Sequence, residues 1–350
     1  MTQSRLPSDL ERRLLREARS GDELAFGALV GPYRHELHLH CYRMLGSVHD
    51  AEDVLQEVLV RAWRHLHAYE SRGSVRSWLY RIATNRCLTS RSRVGTRPLP
   101  GLQDANALPR PNAPDVEVTA LEPYPDDWLT RSTPVAGSAA SSDPVARYEE
   151  RESVQLAFLT VLQLLSPKQR AVLLLRDVLA FSTPETARIL ETTDAAVNGA
   201  LHRARATLDA QRAAGRIRDV GRTPASQVER ALLDRFIASW QAGDVPSLVS
   251  LLAEDALMTM PPYPMAYRGR SAIGLFFSTV PAGGNLREIR LVRTRANGQP
   301  AVAAYMRQGP TARGYGIMVL SVHHNRIREI TGFTDPTLFS LFDLDPQIDW

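Results

Sequence analysis

The sequence predicts a multidomain protein in which two all-α domains are followed by an α+β domain. Residues 8–93 and 147–213 place apolar side chains at helical spacing. Between them, residues 94–146 hold nine prolines, which exclude long helices and indicate a linker. Residues 225–345 begin with a helical pattern and continue as short alternating apolar segments separated by glycine and proline. The length of 350 residues exceeds one ordinary core and fits this division.

The composition is typical of a globular cytoplasmic protein. Apolar residues make up 44% of the chain and charged residues 23%. There is no apolar run of about eighteen residues, and the polar N-terminus lacks the apolar stretch of a secretory signal. The two cysteines, Cys41 and Cys87, give neither a disulfide framework nor a metal-site spacing. We therefore expect a cytoplasmic protein with reduced thiols, no membrane association and no cofactor.

The first helical domain contains a helix with one acidic and one apolar face. Asp50 is its predicted N-cap, and Asp53 falls in the first turn, where the helix dipole favours acidic side chains. The apolar face consists of Val54, Leu55, Val58, Leu59, Ala62, Trp63 and Leu66. Such a pattern on its own predicts only a helix that packs on a core.

An arginine-rich segment follows this helix. Residues 71–93 contain no acidic residue, and Trp78, Tyr80 and Asn85 are interleaved with the basic side chains. The arginines of this segment are Arg72, Arg76, Arg81, Arg86, Arg91 and Arg93. Arginine binds phosphates through its planar guanidinium, and aromatic and amide groups contact unpaired bases. The segment therefore favours nucleic-acid binding, although a basic amphipathic helix also fits a solvated surface or an acidic partner.

Together, the two segments DAEDVLQEVLVRAWRHLHAY and SVRSWLYRIATNRCLTSRSR resemble region 2 of the extracytoplasmic-function (ECF) sigma factors. The resemblance implies that the acidic helix docks on the clamp helices of the largest subunit of RNA polymerase. The residues implied for this contact are Asp50, Glu52, Asp53, Gln56 and Glu57. It also implies that the arginine-rich segment engages and melts the minus-ten promoter element. The residues implied for that role are Arg72, Arg76, Trp78, Arg81, Asn85 and Arg86.

The second helical domain has the pattern of a helix-turn-helix. An apolar helix from Leu156 to Leu165 precedes Ser166 and Pro167, which are typical of a cap and a first turn. Ser182 or Thr183 can cap the next helix, and Thr193 or Asp194 the one after it. Two short helices joined by a tight turn, the second ending in basic residues, predict binding in a DNA groove.

This second domain resembles region 4 of the same sigma family, which reads the minus-thirty-five element and contacts the polymerase flap. The segment that carries the resemblance is LSPKQRAVLLLRDVLAFSTPETARILETTDAAVNGALHRARATL. The implied DNA-binding residues are Thr183, Asn198, His202, Arg203 and Arg205. Asn and His suit base edges, whereas the arginines suit phosphates. Gly199 and its neighbouring alanines leave few base-reading side chains on the helix.

The linker between the two helical domains is long for this family. The resemblance implies a path toward the active-site channel and the RNA exit of the polymerase. Within it, residues 121–129 include Tyr124, Trp128 and Leu129. This hydrophobic cluster fits either a docking segment for a partner surface or a spacer with a few apolar residues.

The C-terminal domain is predicted to place at least one helix against a sheet. The helix runs from Ser226 to Trp240, Asn297-Gly298 forms a hairpin turn, and Asn325-Arg326 forms a second turn. The order of these segments resembles the SnoaL-like branch of the nuclear-transport-factor-2-like (NTF2-like) fold, which implies an α+β cone with a curved antiparallel sheet. Its candidate cavity lining is Met260, Tyr263, Tyr267, Tyr305 and His323.

Some members of the SnoaL-like branch abstract a proton with a cavity Asp/His pair. Asp255, His323 and His324 are the candidates for such a pair here. Asp255 also fits a turn residue ahead of a strand, and alternation predicts that one of the two histidines faces solvent. We therefore predict a non-enzymatic domain, with catalysis as the alternative.

The resemblances imply a sigma factor that directs core RNA polymerase to specific promoters. Its partners would be core polymerase and promoter DNA, and the C-terminal domain would be a built-in regulator able to bind a small molecule. Two alternatives stay open. One is a one-component, ligand-sensing DNA-binding regulator, and the other is a SnoaL-type cavity enzyme with an accessory helix-turn-helix.

Overall fold

The structure is a computed structural model, and it describes residues 7–69, 74–90, 110, 112, 121–132, 155–213 and 227–350. The chain divides into two compact units. The helical unit comprises residues 1–93 and 128–218, and the mixed unit comprises residues 94–127 and 219–350. The predicted C-terminal domain therefore shares its unit with part of the linker.

The first half of the helical unit is built from five helices. They are α1 (Ser8–Arg19), α2 (Glu23–Val30), α3 (Arg34–Leu45), α4 (Val48–Arg64) and α5 (Val75–Thr89). The predicted cap of α4 is wrong, because the helix already begins at Val48 and its N-cap is Ser47. The Ser47 hydroxyl accepts the Asp50 N–H at 3.0 Å, which places Asp50 inside the first turn.

A short helix, α6 (Asp126–Ser132), precedes the second half of the helical unit. That half contains α7 (Leu156–Leu164), α8 (Pro167–Leu173), α9 (Thr183–Ile189) and α10 (Asp194–Ala213). Ser166 and Ser182 both form capping boxes, with Gln169 and Glu185 respectively. Ser182, not Thr183, is therefore the cap of α9. Thr193 caps α10, since its hydroxyl accepts the Ala196 N–H at 3.2 Å.

The mixed unit packs helices against a seven-stranded sheet. The helices are α11 (Gln227–Gln241), α12 (Val245–Ser250), α13 (Arg270–Thr279) and α14 (Leu338–Leu341). The strands are β1 (Leu252–Met260), β2 (Tyr263–Arg268), β3 (Ile289–Ala296), β4 (Gln299–Gln308), β5 (Thr311–His323), β6 (Arg326–Phe333) and β7 (Gln347–Asp349). Their order is β2-β1-β6-β5-β4-β3, and β7 also pairs with β5. All pairs are antiparallel except β1 with β6, which makes the sheet mixed.

Both predicted turns lie between strands, but the second is displaced by one residue. Asn297 and Gly298 have φ of 57° and 71°, which the two-residue turn between β3 and β4 requires. Between β5 and β6 the residues with positive φ are His324 (46°) and Asn325 (61°). The turn is therefore His324-Asn325, and Arg326 already belongs to β6.

The main core of the mixed unit lies between α11, α13 and one face of the sheet. Phe236, Trp240, Phe277, Ile289 and Leu320 are among its buried members. A smaller cluster forms around Tyr305 and Phe339. In the described parts of the chain, no helix is both long and apolar enough to cross a membrane.

Candidate functional site

The predicted acidic face of α4 is only partly exposed. Asp53, Gln56 and Glu57 are exposed on the helix surface, whereas Glu52 is half-buried. Contrary to the prediction, Asp50 does not lie on an outer docking surface, because it is only 8% exposed. Asp50 lies in the first turn of α4, on the side of the helix that is buried. The exposed members of the predicted docking set are thus Asp53, Gln56 and Glu57.

Glu52 joins a small polar cluster between α3 and α4. Its carboxylate lies 3.6 Å from both Arg34 Nη2 and His38 Nε2. Burial lowers the pKa of His38 to about 4, although Glu52 opposes this shift. The His38 ring also packs edge-on against Trp128, with 5.2 Å between centroids. Within the helical unit, the linker residue Trp128 thus packs on α3, beside the polar cluster that α3 forms with the acidic helix.

Arg76 is buried within the helical unit instead of facing solvent. It is 9% exposed, and its Nε lies 3.3 Å from the Glu36 carboxylate. Its Cζ lies 4.9 Å from the centroid of Tyr80 and 4.7 Å from that of Phe181. Contrary to the prediction, Arg76 does not lie on an open DNA-binding surface in this state, because Phe181 covers it.

The other predicted minus-ten residues have different environments. Trp78 is 9% exposed and packs on Tyr69 at 5.2 Å between centroids, so it also lies away from the predicted open surface. Arg81 is exposed and Asn85 is half-buried. Arg86 forms an ion pair with Glu57, so one predicted DNA contact neutralises one predicted polymerase contact. Arg72 lies outside the described residues.

Two residues of the second helical domain hold it against the first, and sequence reasoning missed both. Phe181 lies between α8 and α9 and packs edge-on against Tyr80 at 5.2 Å between centroids. Arg170, on α8, donates to Met44 O across the two domains. The same guanidinium donates to Leu162 O at 2.9 Å. The signal in the sequence that could have indicated this contact is Phe181 itself, a large aromatic residue in a turn between two helices. No local hydrophobic pattern accounts for its burial.

The helix-turn-helix presents some of its predicted DNA-binding side chains to solvent. Asn198, His202 and Arg203 are exposed on α10. Thr183 is half-buried, and its hydroxyl donates to Asn198 Oδ1 at 3.5 Å. Arg205 forms two hydrogen bonds to Asp177, at 2.9 and 2.7 Å. The structure therefore brings Asn198, His202 and Arg203 to one exposed helix, while Arg205 is occupied by an acidic neighbour.

The linker residues 121–126 dock on the turn between β3 and β4 in the mixed unit. Tyr124, 1% exposed, donates its N–H to Asn297 Oδ1 at 2.9 Å and accepts the Asn297 N–H at 2.8 Å. Asp126 accepts from Gly298 N–H at 2.7 Å and from Arg295 Nε at 2.9 Å. Burial raises the pKa of Asp126, while these two donors oppose that shift. The first half of this segment therefore packs on a turn of the chain itself, which differs from both alternatives, the partner surface and the spacer.

The mixed unit encloses a small apolar cavity of about 60 Å³. Met260 lines it as predicted, together with Met258, Met265, Met318 and Trp240. The other four residues expected in the lining, Tyr263, Tyr267, Tyr305 and His323, are not among its lining residues. Tyr267 instead contacts the lining residue Phe276, with tilted rings and 5.1 Å between their centroids. Tyr305 contacts Phe339 in the smaller cluster and donates to Asp345 O at 2.9 Å.

The candidate acid–base residues also lie outside this cavity. Asp255 is exposed and accepts a hydrogen bond from Arg328 at 2.8 Å. His323 and His324 contact each other at the β5–β6 turn, with 4.0 Å between ring centroids. No Asp, Glu, His, Lys or Arg is found among the lining residues in the described part of the unit. This geometry gives no acid–base pair access to a molecule in the cavity.

Comparison with known proteins gives matches along most of the chain. Residues 29–96 match the family description "Sigma-70 region 2", residues 155–208 match "Sigma-70, region 4", and residues 233–331 match "SnoaL-like domain". The ECF RNA polymerase sigma factor SigG of Mycobacterium tuberculosis is 42% identical over 336 residues, which cover 95% of this chain and 86% of that protein. SigW of Bacillus subtilis is 28% identical over 57% of this chain and 95% of its own. The crystal structure of M. tuberculosis SigJ superposes with a TM-score of 0.56 at 22% identity, covering 91% of this chain and 99% of that one.

Proposed function

The chain belongs to the ECF RNA polymerase sigma factors, and from that premise we propose that its SnoaL-like domain controls how regions 2 and 4 present their binding surfaces. As a sigma factor, the protein directs core polymerase to promoters for initiation. The observation that carries the proposal is the burial of Arg76 under Phe181. Arg76, which we propose takes part in promoter melting, is thereby covered by region 4 of the same chain.

The polymerase-docking surface in this proposal is the exposed part of α4. Asp53, Gln56 and Glu57 lie on that surface and fit the positively charged partner that a clamp helix would supply. The Asp53→Arg variant should weaken binding to core polymerase, because it places like charges opposite each other. Glu23→Arg is the matched control, since Glu23 is an exposed acid on α2. Equal losses for both variants would show that net charge, and not this surface, controls docking.

The resting state in this proposal is the closed packing of region 2 on region 4. Arg76 and Trp78 are unable to reach DNA while Phe181 and Tyr69 cover them. Arg81, His202 and Arg203 stay exposed in that state. The two arginines can therefore make the first, salt-dependent contacts with phosphates, and base-pair melting would require the release of Arg76.

The control element in this proposal is the linker segment 121–129. Its Tyr124 and Asp126 are held by the SnoaL-like domain through Asn297, Gly298 and Arg295. Two residues after Asp126 in the chain, Trp128 packs on His38 of region 2. A change in the β3–β4 turn would therefore act first on the linker segment that it holds, which we propose as the route of control.

The experiment that tests the function is transcription on a library of genomic fragments. Core polymerase with the full chain should produce promoter-directed transcripts that core enzyme alone does not make. A chain ending at about residue 215 should alter this output markedly, because its linker then has no turn to dock on. If neither chain produces transcripts, the sigma activity is contradicted. If both chains give the same output, only the proposed control by the SnoaL-like domain is contradicted.

We propose no catalytic activity for the SnoaL-like domain. Asp255 and the two histidines lie outside the cavity lining. A general base must come within hydrogen-bond reach of the proton that it removes. Turnover of a ketone substrate that is abolished by Asp255→Asn would overturn this assignment.

A further inference from the structure

The helix α1 lies before the part of the chain that matches Sigma-70 region 2. The match begins at residue 29, whereas α1 spans Ser8–Arg19. The apolar face of α1 is nevertheless buried in the same compact unit as region 2. The Tyr33 hydroxyl of region 2 also donates to the Glu11 carboxylate of this helix at 3.4 Å. α1 is therefore packed on region 2, and a polar residue at its end acts from a fixed position.

Arg19 joins the end of α1 to the chain that follows α4. Its guanidinium donates through Nε to Leu66 O at 3.3 Å and through Nη2 to Tyr69 O. Both carbonyls lie just beyond α4, in the short helical turn Leu66–Ala68 and in the residue after it. Carbonyl groups at the end of a helix lack intrahelical donors and carry a partial negative charge, so a cation is favoured there. The contacts of Arg19 therefore hold the backbone at Tyr69 in place.

Tyr69 in turn covers Trp78 of α5. Tyr69 is 7% exposed, and its ring packs on that of Trp78 with 5.2 Å between centroids. The Cζ atom of Arg19 lies 5.9 Å from the centroid of the same tyrosine ring, which adds a weak cation–π attraction. Arg19 itself is exposed. A surface arginine outside the matched region is thus connected, through one tyrosine, to a predicted minus-ten residue.

We propose that Arg19 is a positioning residue for promoter melting, which holds Tyr69 over Trp78 and so controls how readily Trp78 reaches opened DNA. The inference rests on the function proposed above, in which Trp78 cannot reach DNA while Tyr69 covers it. The two hydrogen bonds of Arg19 to the backbone stabilise the covered arrangement. Removal of Arg19 therefore lowers the free energy required to uncover Trp78, and binding of single-stranded minus-ten DNA becomes stronger.

The test measures DNA binding by core polymerase with the full chain, on a promoter found in the transcription experiment above. One fragment is a duplex that ends after the minus-thirty-five element, and the other continues into a single-stranded minus-ten element. Arg19→Gln should raise affinity for the second fragment about fivefold, the net contribution of about one hydrogen bond, and leave affinity for the first unchanged. Arg16→Gln removes the same charge from an exposed position of the same helix and should change neither affinity.

A double variant shows whether Arg19 acts through Tyr69. Tyr69→Ala removes the covering ring, so adding Arg19→Gln to it should produce no further gain in affinity for the single-stranded fragment. Unchanged or weaker binding of that fragment by Arg19→Gln alone would overturn the inference.

Two further results separate this inference from other roles of Arg19. Weaker binding of both fragments by Arg19→Gln would assign Arg19 a merely structural role, and an equal gain with and without the Tyr69 ring would exclude the route through Tyr69. Either result overturns the inference and leaves the sigma activity intact. If the wild-type chain with core polymerase binds neither fragment, the proposed function itself fails and the inference falls with it.

Discussion

The guanidinium carbon of Arg76 lies 4.7 Å from the centroid of the Phe181 ring, so region 4 covers a cation of region 2. We expect a double-mutant cycle of Arg76→Gln and Phe181→Leu to give a coupling free energy of about 0.5–2 kcal/mol, the range of a cation–π contact. Leucine keeps apolar volume at position 181 and removes the aromatic face. Urea unfolding of the four proteins measures this coupling.

Phe158 provides the matched control for that cycle. It is also buried in region 4, at 8% exposure, and its ring is not among the aromatic partners of Arg76 in the described residues. The cycle of Arg76→Gln with Phe158→Leu should therefore show no coupling. Similar coupling in both cycles would mean that Arg76 responds to the general stability of region 4.

Arg170 links the two sigma regions through backbone carbonyls. Its guanidinium donates to Met44 O, Leu162 O, Gln163 O and Leu165 O. Arg170→Lys should lower the free energy of unfolding by about 2–4 kcal/mol, because one ammonium cannot satisfy four separated carbonyls. Arg188→Lys, at an exposed position of the same region, should change it by less than about 0.5 kcal/mol. Equal effects in urea unfolding would contradict this role.

The buried His40 should make the helical unit sensitive to acid. Burial lowers the pKa of His40 to about 3, with Arg43 and Arg76 adding to the shift, while Thr84 Oγ1 lies 2.9 Å from its Nε2. The unfolded chain takes up this proton near pH 6.5 and the folded chain does not. The free energy of unfolding should therefore fall as the pH drops below about 6.5, by roughly 1 kcal/mol from this group between about pH 7 and 5.5.

The pH dependence can be assigned by replacing the histidine. His40→Gln should reduce the pH dependence of the unfolding free energy between about pH 7 and 5.5 without abolishing it, because burial also lowers the pKa of His38. A pH dependence that is the same in His40→Gln and in the wild-type chain would contradict this assignment.

The local signals in the sequence predicted some caps and turns correctly, whereas the predicted cap of α4 and the turn between β5 and β6 were displaced. The caps at Ser166 and Ser182 and the Asn297-Gly298 turn are set by residues within a few positions of one another, and they lie where the sequence predicts them. The burial of Arg76 depends on Phe181, which is distant in sequence. The alternation of side chains along β4 separates the two faces of the sheet, but it does not indicate which of the two faces lines the cavity. The sequence therefore assigns Tyr305 to the wrong cluster.

The docked linker segment should be loosened by one substitution. Asp126→Ala removes the acceptor for Gly298 N–H and for Arg295. Hydrogen exchange of the Asn297 amide, which donates to Tyr124 O, should accelerate at least about tenfold, since hydrogen bonds to a charged group contribute about 1.5–3 kcal/mol. Asp127→Ala, at the exposed adjacent position, should leave this exchange rate unchanged. Unaltered exchange in Asp126→Ala would show that Tyr124 alone holds the segment.

The two arginines of α10 should contribute differently to DNA binding, although they are close in sequence. Arg203 is exposed, whereas Arg205 is paired through two hydrogen bonds with Asp177. Arg203→Ala should weaken binding across all DNA sequences and reduce the slope of log K against log salt by about 0.9, the loss of one phosphate contact. Arg205→Ala should reduce it less, because its charge is already neutralised within the protein. Asp177→Ala should free Arg205 and steepen the salt dependence, whereas equal slopes for both arginine variants would mean that DNA displaces Asp177 without a penalty.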